Sequence, residues 1–219
     1  MKSLLKFFFA RQLTQHPDSF ALTRAPLWNS IAASIKLQQS MGKSVWLVAH
    51  FPATYLDCQK MLEEQSINYH VETETLARDQ TSAPANQQTL RLFLADLLQP
   101  IQYEAGTDPP ASSNDRIAMM VVERHPCSAN NERLVEFARS LPNRIEIGHF
   151  LAMDDELVRQ LVPTEMVDLM KSMGLGDNDL ISSTMVTRIL KRRINQTKKL
   201  NHDHSVDSAA EWYQQQSQH

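Results

Sequence analysis

Apolar positions in this chain fall into short unbroken runs separated by amphipathic stretches, and the two alternate. Ile117–Val122 is a continuous apolar run of strand length, stopped by Glu123-Arg124-His125 and by Pro126, which disfavours helix at the residue before it. Such a run fits a strand buried on both faces, as in a parallel sheet covered by helices. Leu134, Phe137, Ala138 and Leu141 then recur at helical spacing, and Arg144–Leu151 reads as a second strand that runs into Met153-Asp154-Asp155. The first half repeats the theme. Pro26 opens a helix with Leu27, Trp28, Ile31 and Ile35 inward, and Val45–Phe51 is a strand. Pro52 opens a helix carrying Tyr55, Leu56 and Leu62, and Ile67–Val71 is a further strand. Strand and helix in alternation predict an α/β fold with a mostly parallel sheet covered by helices.

Other stretches are assigned by the same rules. Leu90, Phe93, Leu94, Leu97, Leu98 and Ile101 repeat at three and four, which predicts a helix covering the sheet or meeting a partner. Polar Thr73–Gln88 and Glu104–Asn114 flank it as connections, giving a flexible insert over about 73–116. Asp154–Leu161 and Thr164–Met173 read as short helices. Thr184–Leu200 reads as a helix with six basic residues and no acidic one, its apolar side made by Val186, Leu190 and Ile194. The expected organisation is a segment 1–25, an α/β domain 26–163, a helical C-terminal extension 164–200 ending in the basic helix, and a polar tail 201–219.

With 219 residues the chain can bury a full core, and a net charge of −3 gives no general attraction to nucleic acid or anionic lipid. Two cysteines make neither a disulfide framework nor a zinc site, and Cys58 falls on an apolar helix side as a packed thiol. No apolar run approaches the roughly 20 residues that span a bilayer. The N-terminal Lys2, Lys6 and Arg11 flank Leu4, Leu5 and Phe7–Phe9, an amphipathic helix that either packs on the domain or lies on a membrane surface. Gly42-Lys43-Ser44 resembles the end of a phosphate loop, but it closes a helix and precedes a strand, the reverse of what that motif needs. His202 and His204 in the tail fall short of the ligand count of a metal site.

In an open parallel sheet ligands bind beyond the carboxyl ends of the strands. Glu123, His125, Asp154, Asp155 and His50 would meet there, either for acid-base or Mg²⁺ chemistry, or to orient loops and charge the start of the next helix. No nucleophile, base and oxyanion-donor arrangement stands out, so no catalytic residue is assigned.

At these residues the chain resembles the SecA preprotein-translocase ATPase family. A strand ending in Glu123-Arg124-His125, a helix, a strand leading to Asp154-Asp155 and Leu157, then Met173-Gly174-Leu175, and Met185-Val186-Thr187-Arg188 opening a basic helix follow the order of the second motor domain of that family and the start of its scaffold helix. The resemblance covers about Ile117–Leu200 and, more weakly, Val45–Val71. It implies a RecA-like fold of the helicase C-terminal type, with nucleotide-binding candidates Glu123, Arg124, His125, Arg139, Asp154 and Asp155, and ATP or ADP with Mg as the ligand. The family's arginine-rich motif is reduced here to Arg139 alone, its small-residue loop is replaced by Glu104–Asn114, and its phosphate-loop domain is absent. The resemblance therefore implies a non-hydrolysing binding or regulatory module of preprotein translocation, cytoplasmic or peripheral to the inner face of the membrane. Arg188, Lys191, Arg192 and Arg193 are its partner-binding candidates. The alternatives are a half-motor that completes its ATP site with a second motor domain or by dimerising, and a nucleic-acid-binding accessory protein.

Overall fold

Eight strands form one sheet among the described residues of the computed structural model, which are 13–75, 89–101, 116–172, 174, 176–196 and 206–216. In chain order the elements are β1 (Leu13–Gln15), β2 (Ser19–Ala21), α1 (Arg24–Ser40), β3 (Ser44–Ala49), α2 (Pro52–Glu64), β4 (His70–Val71), β5 (Leu90–Leu94) and β6 (Arg116–Val122). After them come α3 (Ser128–Ser140), β7 (Arg144–Ala152), α4 (Glu156–Leu161), α5 (Thr164–Ser172), β8 (Ile181–Ser182), α6 (Thr184–Gln196) and α7 (Ala209–Gln216). The order across the sheet is β4-β5-β3-β6-β7-β2-β8, with β1 also on β7; every pairing is parallel except β2 with β8. The protein is thus α/β with a mostly parallel, mixed sheet covered by helices.

Alternation along the strands sorts the core into two layers. Val45, Leu47 and Ala49 of β3 join Leu27, Ile31 and Ile35 of α1 and Cys58, Met61 and Leu62 of α2 on one face. Trp46 and Val48 join Ile117, Met119 and Val121 and the α3 residues Leu134, Phe137 and Ala138 on the other. A third cluster ties Phe20 and Leu151 to Leu157, Val158, Met170, Val186, Leu190 and Ile194, so the helical extension shares its core with the sheet. The expected reading of Gly42-Lys43-Ser44 holds: Gly42 takes φ +74° directly after α1, a conformation glycine adopts without penalty, and Lys43 is buried against Glu146 at 2.8 Å.

Three expectations are corrected. Leu90–Leu94 is a parallel strand lying between β4 and β3, paired from Val45↔Leu90 to Ala49↔Leu94, instead of a covering helix inside a flexible insert. Its leucines suit both periods over so short a run, and the open edge of β3 decides between them. Leu90 and Leu92 face α2 while Phe93 stacks near Trp46, and Arg91 reaches Glu72 at 2.5 Å. After it the chain makes one 3-10 turn at Ala95–Leu97 in place of the expected helix, and residues 76–88 and 102–115 of the supposed insert lie outside the described residues. Second, residues 13–25 are no separate N-terminal segment: β1 and β2 run along β7, at Leu13↔Ile145 and Phe20↔Leu151, because strands of three residues give too few alternations to read. The amphipathic helix assigned to the first twelve residues lies outside the described residues. Third, the tail carries α7, held by Trp212, which is 1% exposed. One large ring anchors a helix that a polar composition hides. His202 and His204 are outside the described residues.

Candidate functional site at the carboxyl edge of the sheet

The ends of β3, β6 and β7 bring His50, Glu123-Arg124-His125 and Asp155 to one edge, but they do not form one constellation. Glu123 adopts φ +88°, a region where a side chain other than glycine is strained, and its N–H donates to Phe150 O at 2.9 Å. That backbone turn sends the carboxylate under the start of α2. Oε1 accepts from the His50 and Phe51 N–H groups at 3.2 Å each, and Oε2 accepts from the Thr54 hydroxyl at 2.9 Å. Phe51 occupies the N-cap position of α2 and has no side-chain acceptor; Glu123 takes the N–H groups of Phe51 and of His50 before it and so ties the β3–α2 turn from another strand, while Ala53 N–H in the first turn goes to Asp207 O.

Arg24 and Asp155 stand beside it. Asp155 precedes α4, accepts from Ala152 N–H at 2.8 Å and takes Arg24 Nε at 2.7 Å, while Arg24 Nη1 reaches Asp57 at 3.0 Å. Arg24, Thr54, Glu123 and Asp155 line a cavity of about 120 Å³ whose further wall is Ser208, Ala209 and Ala210 from the start of α7. Asp154, one residue away, is exposed.

Arg124 turns to the opposite face of the sheet. Its Nε and Nη2 fork onto Asp18 at 2.7 and 2.6 Å, and Nη2 donates to His149 Nδ1 at 3.3 Å, all of them buried. Asp18 sits in the break between β1 and β2, where Pro17 has no N–H for the ladder. Arg124 and Arg139 line a groove between α3 and α6, away from Glu123, with Arg139 at its exposed end.

His125 is held as structure. Asn131 clamps its backbone, accepting from its N–H at 3.0 Å and donating to its carbonyl at 2.6 Å, and the imidazole Nδ1 accepts from Cys127 N–H at 2.9 Å. The ring stacks on Phe51 at 5.0 Å and meets the edges of His50 and Trp212 at 5.5 and 6.3 Å. Burial, then the neighbouring His125 and Arg124, push His50 well below the usual histidine range, so it is neutral.

The six nucleotide-binding candidates therefore separate. Glu123 and Asp155 share the small cavity, Arg124 and Arg139 share the groove, His125 lies beneath Trp212, and Asp154 faces solvent. The basic helix divides too: Lys191 faces the groove, Arg192 and Arg193 line a depression with Pro163 and Ile189, and Arg188 is exposed. Asp18, Arg24, Thr54, His149 and Trp212 are the functional neighbours that sequence reasoning missed. None belongs to a local motif, and each reaches its partner only through the fold. Cys58 is buried as expected, with its thiol pushed well up by that burial.

The edge does not fit a nucleotide with its metal. The Glu123 carboxylate already accepts three donors, and a cavity of about 120 Å³ is smaller than the few hundred that enclose ligands of that kind. Among the described residues no group of three His, Cys, Asp or Glu could hold a metal ion, and no helix is long and apolar enough to cross a membrane. No protein-family model matches the chain, and no curated protein matches it in sequence.

Burial pushes the Glu123 carboxyl up to about 8, against the downward pull of the Thr54 hydroxyl and with Asp155 adding repulsion. Between its ordinary 4.5 and about 8 the folded chain holds a proton that the unfolded chain has released. The contribution is complete below pH 4.5 and declines as pH rises through that window, by an amount of the order of a few kcal/mol. Glu123→Gln keeps an acceptor for the two N–H groups and removes the titration. Urea melts across the window are expected to show this component of the slope in the parent and not in the variant; equal slopes would refute the assignment.

Proposed function

We propose that this chain is a RecA-like domain of the helicase C-terminal type, related to SecA, that has given up nucleotide hydrolysis and serves preprotein translocation as a binding or regulatory module. The observation that carries this reading is the use to which Glu123-Arg124-His125 is put. Glu123 ties the β3–α2 turn, Arg124 is locked on Asp18, and His125 is covered by Trp212. In a working motor such groups face a ligand; here each faces the chain itself. The sheet supports the reading as well, since the motif positions Glu123-Arg124-His125 and Asp154-Asp155 follow two neighbouring parallel strands, β6 and β7. Partners would be proteins of the translocation machinery, met through the exposed Arg188, Arg192 and Arg193, at the inner face of the membrane.

Equilibrium titration of the purified chain with ATP and ADP, with and without Mg²⁺ and across a range of protein concentration, tests it. The expected result is no saturable binding at the Glu123 edge with millimolar nucleotide and no turnover. ATP turnover abolished by Glu123→Gln or Arg139→Ala, or turnover that rises with protein concentration, would replace the module by a half-motor.

A further inference from the structure

The groove between α3 and α6 encloses about 370 Å³, within the range of small-ligand sites. One wall is a single face of α3, from Ser128 through Asn131 and Val135 to Arg139, about 16 Å long at the helical rise. The other is Lys191, Ile194 and Asn195 of α6, and the floor is Gln15, Arg124 and His149 from the sheet.

Three observations concern its inner end. His149 is 5% exposed, and its Nε2 is buried without a hydrogen-bond partner. Arg124 donates to Nδ1 of the same ring, so in the neutral tautomer the unpartnered Nε2 carries the proton and is a donor. Lys191 is half-buried and makes no ion pair among the described residues, while burial and the nearby Arg124 press its ammonium toward losing its proton. Cys127 at the N-cap of α3 makes no side-chain cap, and Ser128 in the first turn lines the groove, where the positive end of the helix dipole lies. Buried donors without acceptors are costly, which applies to His149 Nε2; Lys191 stands near enough to act on that imidazole electrostatically, and Ser128 lines the same groove. The charges that face the groove are Arg124, paired with Asp18, then Lys191, Arg139, Glu132 and Glu136. Both glutamates and Arg139 are exposed, where solvent screens them, and Lys191 feels the attraction of Asp18, which Arg124 already pairs.

We infer that this groove binds a soluble phosphate ester, with the phosphate at the Ser128–His149–Lys191 end and the remainder of the ligand lying along α3 toward Gln15 and Arg139. A helix N-terminus with an ammonium and an N–H donor suits a phosphate, whose several oxygens accept from separate directions. The groove takes in Arg124 and Arg139 but no residue of the Glu123 cavity, so the outcome here is separate from the fate of the Glu123 edge.

The test uses the full chain at fixed ionic strength, titrated with inorganic phosphate and with glycerol 3-phosphate. Heat of binding and the side-chain nitrogen resonances of the histidines are the readouts. Saturable binding is expected, with the His149 Nε2 resonance moving at saturation. Lys191→Met keeps the stem packing and is expected to weaken binding about ten- to a hundredfold, the range for a hydrogen bond to a charged group. Lys36→Gln on the exposed side of α1, which removes the same charge away from the groove, is expected to leave affinity unchanged. An unmoved His149 resonance, undiminished binding in Lys191→Met, acetate binding as tightly as phosphate, or binding only to phosphatidate vesicles would each overturn the inference.

Discussion

Replacing Asp18 with alanine is expected to destabilise the fold by about 3–5 kcal/mol, because it leaves a buried guanidinium without its counter-ion. Asp18 is fully buried and Arg124 is 4% exposed, and they meet in a two-point fork whose geometry only a carboxylate completes. The same residue donates its backbone N–H to the Thr187 hydroxyl at 2.9 Å, and that hydroxyl donates to Ser183 O at 2.8 Å. Asp18 thereby joins the break in the edge strand to the start of α6. Asparagine at this position retains an acceptor but no charge and is expected to fall between parent and alanine. Asp18→Ala combined with Arg124→Met should recover much of the loss, since the pair's desolvation cost vanishes with it. Urea unfolding with a common slope measures all of these. A loss for Asp18→Ala of about 1 kcal/mol, the value for a solvated pair, would refute the buried-pair account.

Trp212→Ala is expected to release α7. The indole is 1% exposed and packs on Phe51 and Val206, with His125 and Tyr213 at its edges, and truncating a buried tryptophan costs about 3–5 kcal/mol. The backbone contact from Ala53 N–H to Asp207 O at 3.0 Å cannot hold the helix alone, and the bond from Glu211 N–H to Ser208 Oγ at 3.2 Å lies within the start of α7 itself. Loss of so much local stability should appear first as local opening. Hydrogen exchange is the measurement: α7 amides are expected to lose protection in the variant while those of β3, β6 and β7 keep theirs. Uniform loss across the sheet would mean that α7 and the sheet unfold as one unit.

The sheet's middle was legible because β6 is apolar on both faces for six residues and β3 for five, while β7 ends in an apolar run, and α1, α2 and α3 are marked by proline, spacing or a following proline. Short elements were not. In β5 the leucines satisfy strand and helix periods alike, and only its place beside β3 settles the matter. At the edge, Glu123 and Asp155 were rightly brought to the ends of neighbouring strands. What was hidden is direction: the backbone turn at Glu123 sends it and Arg124 to opposite faces, which no periodicity encodes. The partner of Arg124 lies 106 residues earlier in a stretch without regular pattern, and the cover of His125 comes from a segment whose composition reads as solvent-loving.

The order of the strands has a consequence for how the molecule meets its own kind in solution. Within the described residues the sheet ends in β4 on one side and β8 on the other, two residues each, the second of them running against its neighbour. A bare margin is a template on which another chain can extend the hydrogen-bond ladder. These margins, and that of β1 with three residues, offer only a few rungs each, while the long apolar strands β3, β6 and β7 lie inside the sheet. Concentrated solutions of the native chain should therefore resist edge-to-edge association even though the centre of the sheet, once exposed, is rich in the β-branched and aromatic residues that favour it.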